Sequence, residues 1–285
     1  MSNMILAYGN LIDEATLSGG FSYPSLPLAN LQDERLGKVW RTVDTLTAST
    51  WFDIDLGSPR LLRTIAMANH NLSLTALYRI RFGDDPTFAT VTDDSGWLNV
   101  WPEIYPFGEV PWGSESWWDG RLSATEAAAY TATLVRVLAS TMLGRYIRVE
   151  FDDQTNDAGY VQGGRLFVAD GWQPVRNMVY GANIGWLDRN SFQEAISGAE
   201  YGTKRRSPRL ARFELPAMTE SEAMAQAFEI QRSVGTLGEV LYMWNPDDTV
   251  HAIRRQFLGR LRVLSQIENA APDRWRSPFE IKERL

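Results

Sequence analysis

Alternation of apolar and polar residues is the feature that most limits the fold of this chain. The segment WFDIDLG (51–57) alternates with a period of two, and Gly-Ser-Pro follows as a stop signal. Further alternating or apolar segments occupy 63–73, 77–85, 145–153 and 163–170. A period of two is that of a half-buried strand, and several short strands separated by turn residues indicate an antiparallel β-sandwich.

One segment of the first half, 123–141, fits two structures. It opens with Ser123 and Glu126 in the spacing of a capping box and is rich in alanine, which favours a helix. Its second part, TLVRVLAS, contains β-branched residues and favours a strand. The sequence leaves both structures open.

The pattern changes after residue 190. The segment RLARFELPAM (209–218) alternates as a strand with one wet face. Thr219 and Glu222 then form a capping box, apolar residues follow with helical spacing, and Gly235 stands where a C-terminal glycine belongs. These signals predict a helix over 219–234, and three strands after it.

Composition narrows the possible functions. The chain of 285 residues has no cysteine and two histidines, which argues against disulfides, thiolate metal sites and a conventional catalytic triad. No apolar run approaches the roughly 20 residues of a membrane helix, and we expect no membrane insertion and no secretory signal. The first 171 residues carry 12 Lys/Arg against 21 Asp/Glu, and this acidic balance argues against nucleic acid.

An aromatic segment, GWLNVWPEIYPFGEVPWGSESWWDG (96–120), holds five of the eleven tryptophans. Its three prolines exclude a helix and a central strand, so it is an irregular loop. Three interpretations remain: a local core of packed aromatics, a protein interface, or a platform on which sugar rings stack. The candidate interface or ligand residues are Trp97, Trp101, Tyr105, Phe107, Trp112, Trp117 and Trp118.

A basic segment, TKRRSPRLAR (203–212), is the second candidate site. It either docks on an acidic neighbour, such as the acidic first half of another subunit, or is a solvated loop. Its cationic residues are Lys204, Arg205, Arg206, Arg209 and Arg212. Nothing among the acidic residues singles out a catalytic pair, and we expect no catalytic residue, metal site or cofactor.

Four motifs in order resemble the discoidin or galactose-binding-like family: LANLQDERLGKVWRT (28–42), WFDIDLG, GRYIRVEF (144–151) and GGRLFVAD. The resemblance implies that residues 1–170 form an eight-stranded jelly roll, with the aromatic loop as an insertion. We then expect a connector over 171–190 and a second domain over 191–285. The expected fold is mainly β: a discoidin-like jelly-roll sandwich followed by a smaller β-sandwich carrying one helix.

The whole chain also resembles a group of bacteriophage and prophage tail proteins, through GRLFVADGWQPVRNMVYG (164–181) and FLGRLRVLSQIE (257–268). The order of elements in the second half is similar to that of tail-tube and distal-tail proteins. This resemblance implies a non-enzymatic subunit of the tail tip or baseplate, assembled in the bacterial cytoplasm and located in the virion. It would form a three- or sixfold ring through its second domain and contact other tail proteins.

A carbohydrate-binding adhesin is the alternative from another class of function. It would recognise cell-surface glycans through loops of the jelly roll, and the aromatic loop would supply stacking faces.

Overall fold

The computed structural model describes residues 2–106 and 108–285. Its strands pair in antiparallel fashion throughout. They are β1 (Ile5–Tyr8), β2 (Thr16–Ser18), β3 (Trp40–Arg41), β4 (Trp51–Ala68), β5 (Leu77–Gly83), β6 (Val91–Asp94), β7 (Leu98–Asn99), β8 (Thr133–Asp152), β9 (Gln162–Gly163), β10 (Arg165–Ala169), β11 (Asn183–Trp186), β12 (Ser191–Glu194), β13 (Glu200–Thr203), β14 (Arg209–Met218), β15 (Val240–Met243), β16 (Gln256–Leu261), β17 (Glu268–Ala271) and β18 (Arg274–Glu283).

Helical elements are few and short. The α-helices are α1 (Ala124–Ala128), α2 (Glu220–Glu222), α3 (Glu229–Val234) and α4 (Ala252–Arg255). A π-helical turn, Ala223–Phe228, joins α2 to α3, and 3₁₀ turns lie at Leu11–Glu14, Leu28–Gln32 and Glu115–Trp117. The mainly β class with one principal helix is confirmed.

A seven-stranded sheet, here called the first sheet, organises residues 9–170. Its strands run in the order β10-β4-β8-β5-β6, with β2 added to β4 and β7 added to β5. The inner face carries Phe52, Ile54, Ile80 and Val149 and packs on the 3₁₀ turns, the small β3–β9 pair and the base of the aromatic loop. The outer face carries cross-strand ion pairs, such as Arg148 with Asp53 at 2.6 Å.

Strand β4 is longer than the alternation predicted. The Gly-Ser-Pro stop signal after residue 56 does not end it; the chain continues to Ala68 as one strand. Gly57 has φ +73°, and the pairing with β8 shifts register between Asp55 and Arg60. A left-handed glycine lets the strand bend at an irregularity and then resume pairing, so the turn residues mark a bend inside the strand.

The segment 123–141 contains both of the structures that its sequence allows. Ser123 and Glu126 form a complete capping box at the start of the short helix α1. The β-branched second part lies in β8, which pairs with β4 and β5. The capping box therefore starts a helix of about one turn, and the β-branched part of the segment forms a strand.

A second sheet combines the last third of the chain with its beginning. Its order is β1-β15-β16-β18-β14-β11, with β17 added to β18. Ile5–Tyr8 pair with Val240–Met243, so the first strand of the chain belongs to the second sheet although the sequence assigns residues 1–170 to the jelly roll. Within the predicted connector, Asn183–Trp186 form the edge strand β11.

The predicted helix over 219–234 is confirmed as a continuous helical segment over 220–234. The Thr219 hydroxyl accepts a hydrogen bond from the Glu222 backbone N–H at its start, and Gly235 follows its end with φ +55°. Ala223, Ala227 and Ile230 face the second sheet and are buried there. This segment covers one face of the sheet.

The other face of the second sheet packs on the outer face of the first. Ile5, Ala7, Leu241, Met243 and Leu258 from the second sheet form one buried cluster with first-half residues. The first-half members are Leu36, Ala66, Ala68, Phe167 and Ala169. Alanine at several of these positions leaves room for the two backbones to approach, and the shared cluster joins the halves into one body.

A buried ion pair lies at the edge of this cluster. The Arg165 guanidinium on β10 is 1% exposed and binds the Glu239 carboxylate, just before β15, at 2.7 Å. Asp13 and Arg284 extend the network at 2.7 Å from Arg165 and 2.6 Å from Glu239. Removing one partner of a buried pair leaves the other charge without compensation, so both charges are tied to the docked arrangement.

We expect Glu239→Gln to lower the free energy of unfolding by roughly 2 kcal/mol, because the buried Arg165 then keeps only the half-exposed Asp13 as a counter-charge and Arg284 loses its nearest carboxylate. Urea unfolding followed by tryptophan fluorescence measures the loss. The control is Glu268→Gln, which removes an exposed partner of Arg276 and should cost less than about 1 kcal/mol. Equal losses in the two variants would contradict a coupling role for the buried pair.

Candidate functional site

The base of the aromatic loop is part of the first-half core. Trp101 is only 8% exposed, and Ile104 and Leu122 are buried beside it. The Trp101 indole N–H donates to the Leu72 carbonyl at 3.1 Å, and its ring meets His70 edge to face at 5.7 Å. A hydrogen-bonded, buried indole fixes the position at which the loop leaves the sheet.

Residues 105–120 leave the core and return to the same point. The backbone N–H groups of Ile104 and Tyr105 both donate to the Gly120 carbonyl at 2.8 Å. Gly120 has φ +62°, and a Cβ there would lie 2.5 Å from the Tyr105 carbonyl, so this crossing requires glycine. The segment is thus a closed Ω-type loop, and Pro106 and Pro111 stiffen it.

The outer part of the loop displays a cluster of three indoles, here called the tryptophan platform (Trp112, Trp117 and Trp118). The Trp112 ring meets Trp117 at 5.2 Å and Trp118 at 6.1 Å, both edge to face. Trp112 is 78% exposed and Trp118 is 80% exposed. Trp117 is half-buried and contacts Trp112, while most of the surface of Trp112 and Trp118 faces solvent.

The charged residues of the aromatic loop itself are all acidic. Residues 96–120 contain Glu103, Glu109, Glu115 and Asp119 and no lysine or arginine. Arg121, just beyond the loop, is turned back to the Leu74 carbonyl and to the Asn99 side chain at 3.0 Å. Carboxylates are acceptors only, so the platform combines aromatic faces with groups that accept hydrogen bonds from hydroxyl or ammonium donors.

The seven aromatic residues singled out in the sequence do not form one surface. Trp97 is half-exposed at the start of the loop, and Tyr105 is half-buried with its hydroxyl 3.4 Å from the Glu126 carboxylate. Trp101 lies in the core. Phe107 lies outside the described residues. The structure therefore brings together Trp112, Trp117 and Trp118, which remain the candidate ligand-binding residues.

The cationic residues of the basic segment also fall into two groups, exposed residues and residues paired with acidic side chains. Lys204, Arg205 and Arg206 are exposed. Arg209 is buried, and its guanidinium binds Glu283 of the neighbouring strand β18 at 2.6 Å. Arg212 lies 3.2 Å from Glu280. Arg209 is therefore part of the internal packing and is not available for docking, because it shares the inward-facing phase of β14 with Ala211 and Phe213.

A cleft that the sequence did not indicate opens beside Trp101. It has a volume of about 230 Å³ and lies between the first sheet and the segment 246–256 of the second half. His70, Trp101 and Arg136 line one side, and Asp248 and Gln256 line the other. Its walls come from segments more than a hundred residues apart, which is why no local motif announces it.

The described residues contain neither a cluster of metal ligands nor a membrane-spanning helix. No group of three or more His, Cys, Asp or Glu side chains is placed to hold a metal ion in residues 2–106 and 108–285. Within the same residues, no helix is long and apolar enough to cross a membrane.

No protein-family model matches the sequence, and no curated protein matches it either. Solved structures similar to part of the chain include a CBM32 module of a family 31 glycoside hydrolase from Clostridium perfringens. It has 9% identity and a TM-score of 0.38, over 57% of this chain and 98% of that one.

Two other solved structures have comparable values. A family 32 CBM of C. perfringens NanJ, solved with galactose, has 15% identity and a TM-score of 0.38, over 57% of this chain and 98% of that one. A chitosan-binding module of a Paenibacillus sp. IK-5 chitosanase/glucanase has 15% identity and a TM-score of 0.35, over 56% and 98%. None of these three is a tail protein. Structural similarity at these TM-scores says nothing about the ligand of this chain.

His70 couples the anchor of the loop to pH. Burial lowers the pKa of His70 to about 3 from its usual 6.5. The folded chain therefore binds fewer protons than the unfolded chain between these values, so the contribution to stability is complete above pH 6.5 and is lost as the pH falls towards 3. We expect a loss of about 2 kcal/mol between about pH 7 and about pH 5.

The measurement is urea unfolding at both pH values, compared between the native chain and His70→Asn, which cannot titrate. The variant should lose less stability on acidification than the native chain. His70→Gln, a second side chain that cannot titrate, should show the same reduced loss. An unchanged pH dependence in His70→Asn would rule out this coupling.

Proposed function

We propose that this chain is a non-catalytic glycan-binding protein and that the tryptophan platform is its binding site. The observation that carries the proposal is the exposure of Trp112 and Trp118 on a closed loop whose base is buried in the core. The closed loop holds these indole rings in solvent, where they can contact a ligand that has apolar faces. A sugar ring presents C–H faces to aromatic rings and hydroxyl groups to neighbouring acceptors.

The surroundings of the platform support a sugar more than a purely apolar ligand. Glu115 and Asp119 flank the two adjacent tryptophans in sequence and offer acceptors for hydroxyl groups. The four carboxylates of the loop, without a cation among residues 96–120, disfavour sulfated, sialylated or uronic-acid glycans through like-charge repulsion. The preferred class is therefore neutral sugars or amino sugars.

Alanine replacement tests the platform directly. Titration of the full chain with neutral, amino and acidic oligosaccharides, followed by tryptophan fluorescence and calorimetry, should give saturable binding in the first two classes. Trp112→Ala and Trp118→Ala should each weaken it about tenfold or more, which corresponds to about 1.4 kcal/mol of lost stacking. Both side chains are exposed, so the free energy of unfolding should change by no more than about 0.5 kcal/mol.

The matched control is Trp186→Ala, which removes another exposed tryptophan, on β11, and should leave binding intact. Absence of binding in all three glycan classes would refute the proposal. A large loss of stability in Trp112→Ala or Trp118→Ala would instead identify the cluster as a local core.

A structural subunit of a phage tail tip is the second candidate. It is favoured by the large apolar side chains that the second half leaves in solvent: Tyr180 and Ile196 are fully exposed, and Leu237 is exposed as well. A protein partner would cover such side chains, because burial of apolar surface favours association. We propose the ring arrangement and the contacts with other tail proteins on this ground alone.

Quantitative mass spectrometry of gradient-purified phage particles tests this second candidate. With the tube subunit as the reference for quantification, a subunit of a tail-tip ring should be present at a low number of copies per particle, near a multiple of three or six, because cyclic rings fix the stoichiometry. Absence of the chain from intact particles would exclude the virion role and leave glycan binding untouched.

A further inference from the structure

The cleft beside Trp101 contains a cation without a counter-charge. Arg136 of β8 lines this cleft and is half-buried. Within the described part of the chain it forms no ion pair, and its buried Nε has no hydrogen-bond partner. Buried polar groups of folded proteins are nearly always hydrogen-bonded, so this guanidinium lacks the partner that its position requires.

The place of Arg136 in the strand makes the missing partner unusual. Leu134 and Leu138 belong to the first-half core, so Arg136 lies between them in the core-facing phase of β8. The register places it opposite Ile65 of β4, which offers no charge. By contrast, the other two arginines of β8 bind carboxylates of β4. The strand therefore pairs its other cations and leaves this one facing the cleft.

The backbone beside Arg136 has a free edge. Residues 133–137 pair with β4 on one side. On the other side, β5 pairs with 146–152 of β8, and no strand of the described residues covers 133–137. Alternate N–H and C=O groups along this edge can therefore bind a ligand in the cleft.

The other walls of the cleft are largely apolar and add no free charge. Tyr78 and Trp101 contribute aromatic rings, and His70 is neutral because burial lowers its pKa to about 3. Among the described lining residues, Asp248 is the one carboxylate. It pairs with Arg255 at 3.1 Å, outside the reach of an ion pair with Arg136. Arg136 therefore carries the uncompensated charge of the cleft.

We propose that the cleft binds a small monocarboxylic acid with an apolar body, and that Arg136 holds its carboxylate. The planar fork of a guanidinium matches a carboxylate with two parallel hydrogen bonds. The aromatic and aliphatic walls fit an apolar ring or chain. The volume of about 230 Å³ is below the roughly 300 Å³ at which pockets for drug-sized ligands begin, so the ligand is small.

The charge of the cleft also selects against other anions. A doubly charged phosphate would find a single free guanidinium and a carboxylate, Asp248, on the opposite wall. One of its charges would then be desolvated without compensation. A monocarboxylate matches the one free cation.

This site is separate from the tryptophan platform and goes beyond glycan binding. It contains none of Trp112, Trp117 and Trp118, and its ligand is charged where the preferred sugars are neutral or cationic. Either proposal can fail without the other.

Calorimetric titration of the full chain with benzoate and with cyclohexanecarboxylate tests the proposal. At least one of the two acids should bind with a Kd of about 1 mM or lower. Benzamide, the neutral counterpart of benzoate, and inorganic phosphate should each bind at least about tenfold more weakly, because neither offers a singly charged carboxylate to Arg136.

Variants of the cleft assign the binding to Arg136. Arg136→Met should weaken binding about tenfold or more, and its thermal unfolding midpoint should stay or rise, because an unpaired buried cation is removed. Arg136→Lys should fall between this variant and the native chain, since it keeps the charge and loses the fork. Ala252→Phe keeps Arg136 but fills the cleft, and should abolish binding. The matched control is Arg63→Met, at a half-buried arginine of β4 outside the cleft, which should keep the native affinity.

Several results would overturn the proposal. They are the absence of binding of both acids at concentrations up to about 10 mM, and native affinity in Arg136→Met or in Ala252→Phe. Benzamide binding as tightly as benzoate would remove the role of the charge. Phosphate binding as tightly as benzoate would identify a general anion site and would also overturn it.

Discussion

Strand β1 buries both of its faces, and the union of the two halves depends on this. Ile5 and Ala7 face the first sheet, while Met4 and Leu6 face the core beneath the helical segment. A strand that is apolar on both faces can only lie between two layers. Strand β1 therefore belongs to the middle layer, with the first sheet on one side and the helical segment on the other.

The packing between the two halves also fixes the position of the tryptophan platform. The loop that carries the platform leaves the first half through the buried Trp101, and the helical segment lies on the far side of the second sheet. Small alanine contacts and the Arg165–Glu239 pair hold the layers between them together. The platform therefore stands on a frame to which both halves contribute.

Local signals predicted the elements whose physics is local. The side-chain caps at Ser123 and Thr219 both form, and alternation correctly placed β5, β10 and parts of β4 and β8, but not β2, β6 and β7. The alternation within β14 also indicates that Arg209 is buried, because Arg209 lies on the same side of the strand as Ala211 and Phe213. The sequence shows a basic cluster, but strand phase decides which of its members reach solvent.

Other features depend on distant residues and leave no local trace. The pairing of β1 with β15 joins segments more than 230 residues apart, and the cleft beside Trp101 joins elements more than a hundred residues apart. Within the aromatic loop, the sequence gives the same residue type at 101, 112 and 118. Which tryptophan is buried depends on where Gly120 closes the loop, and this closure is a tertiary contact.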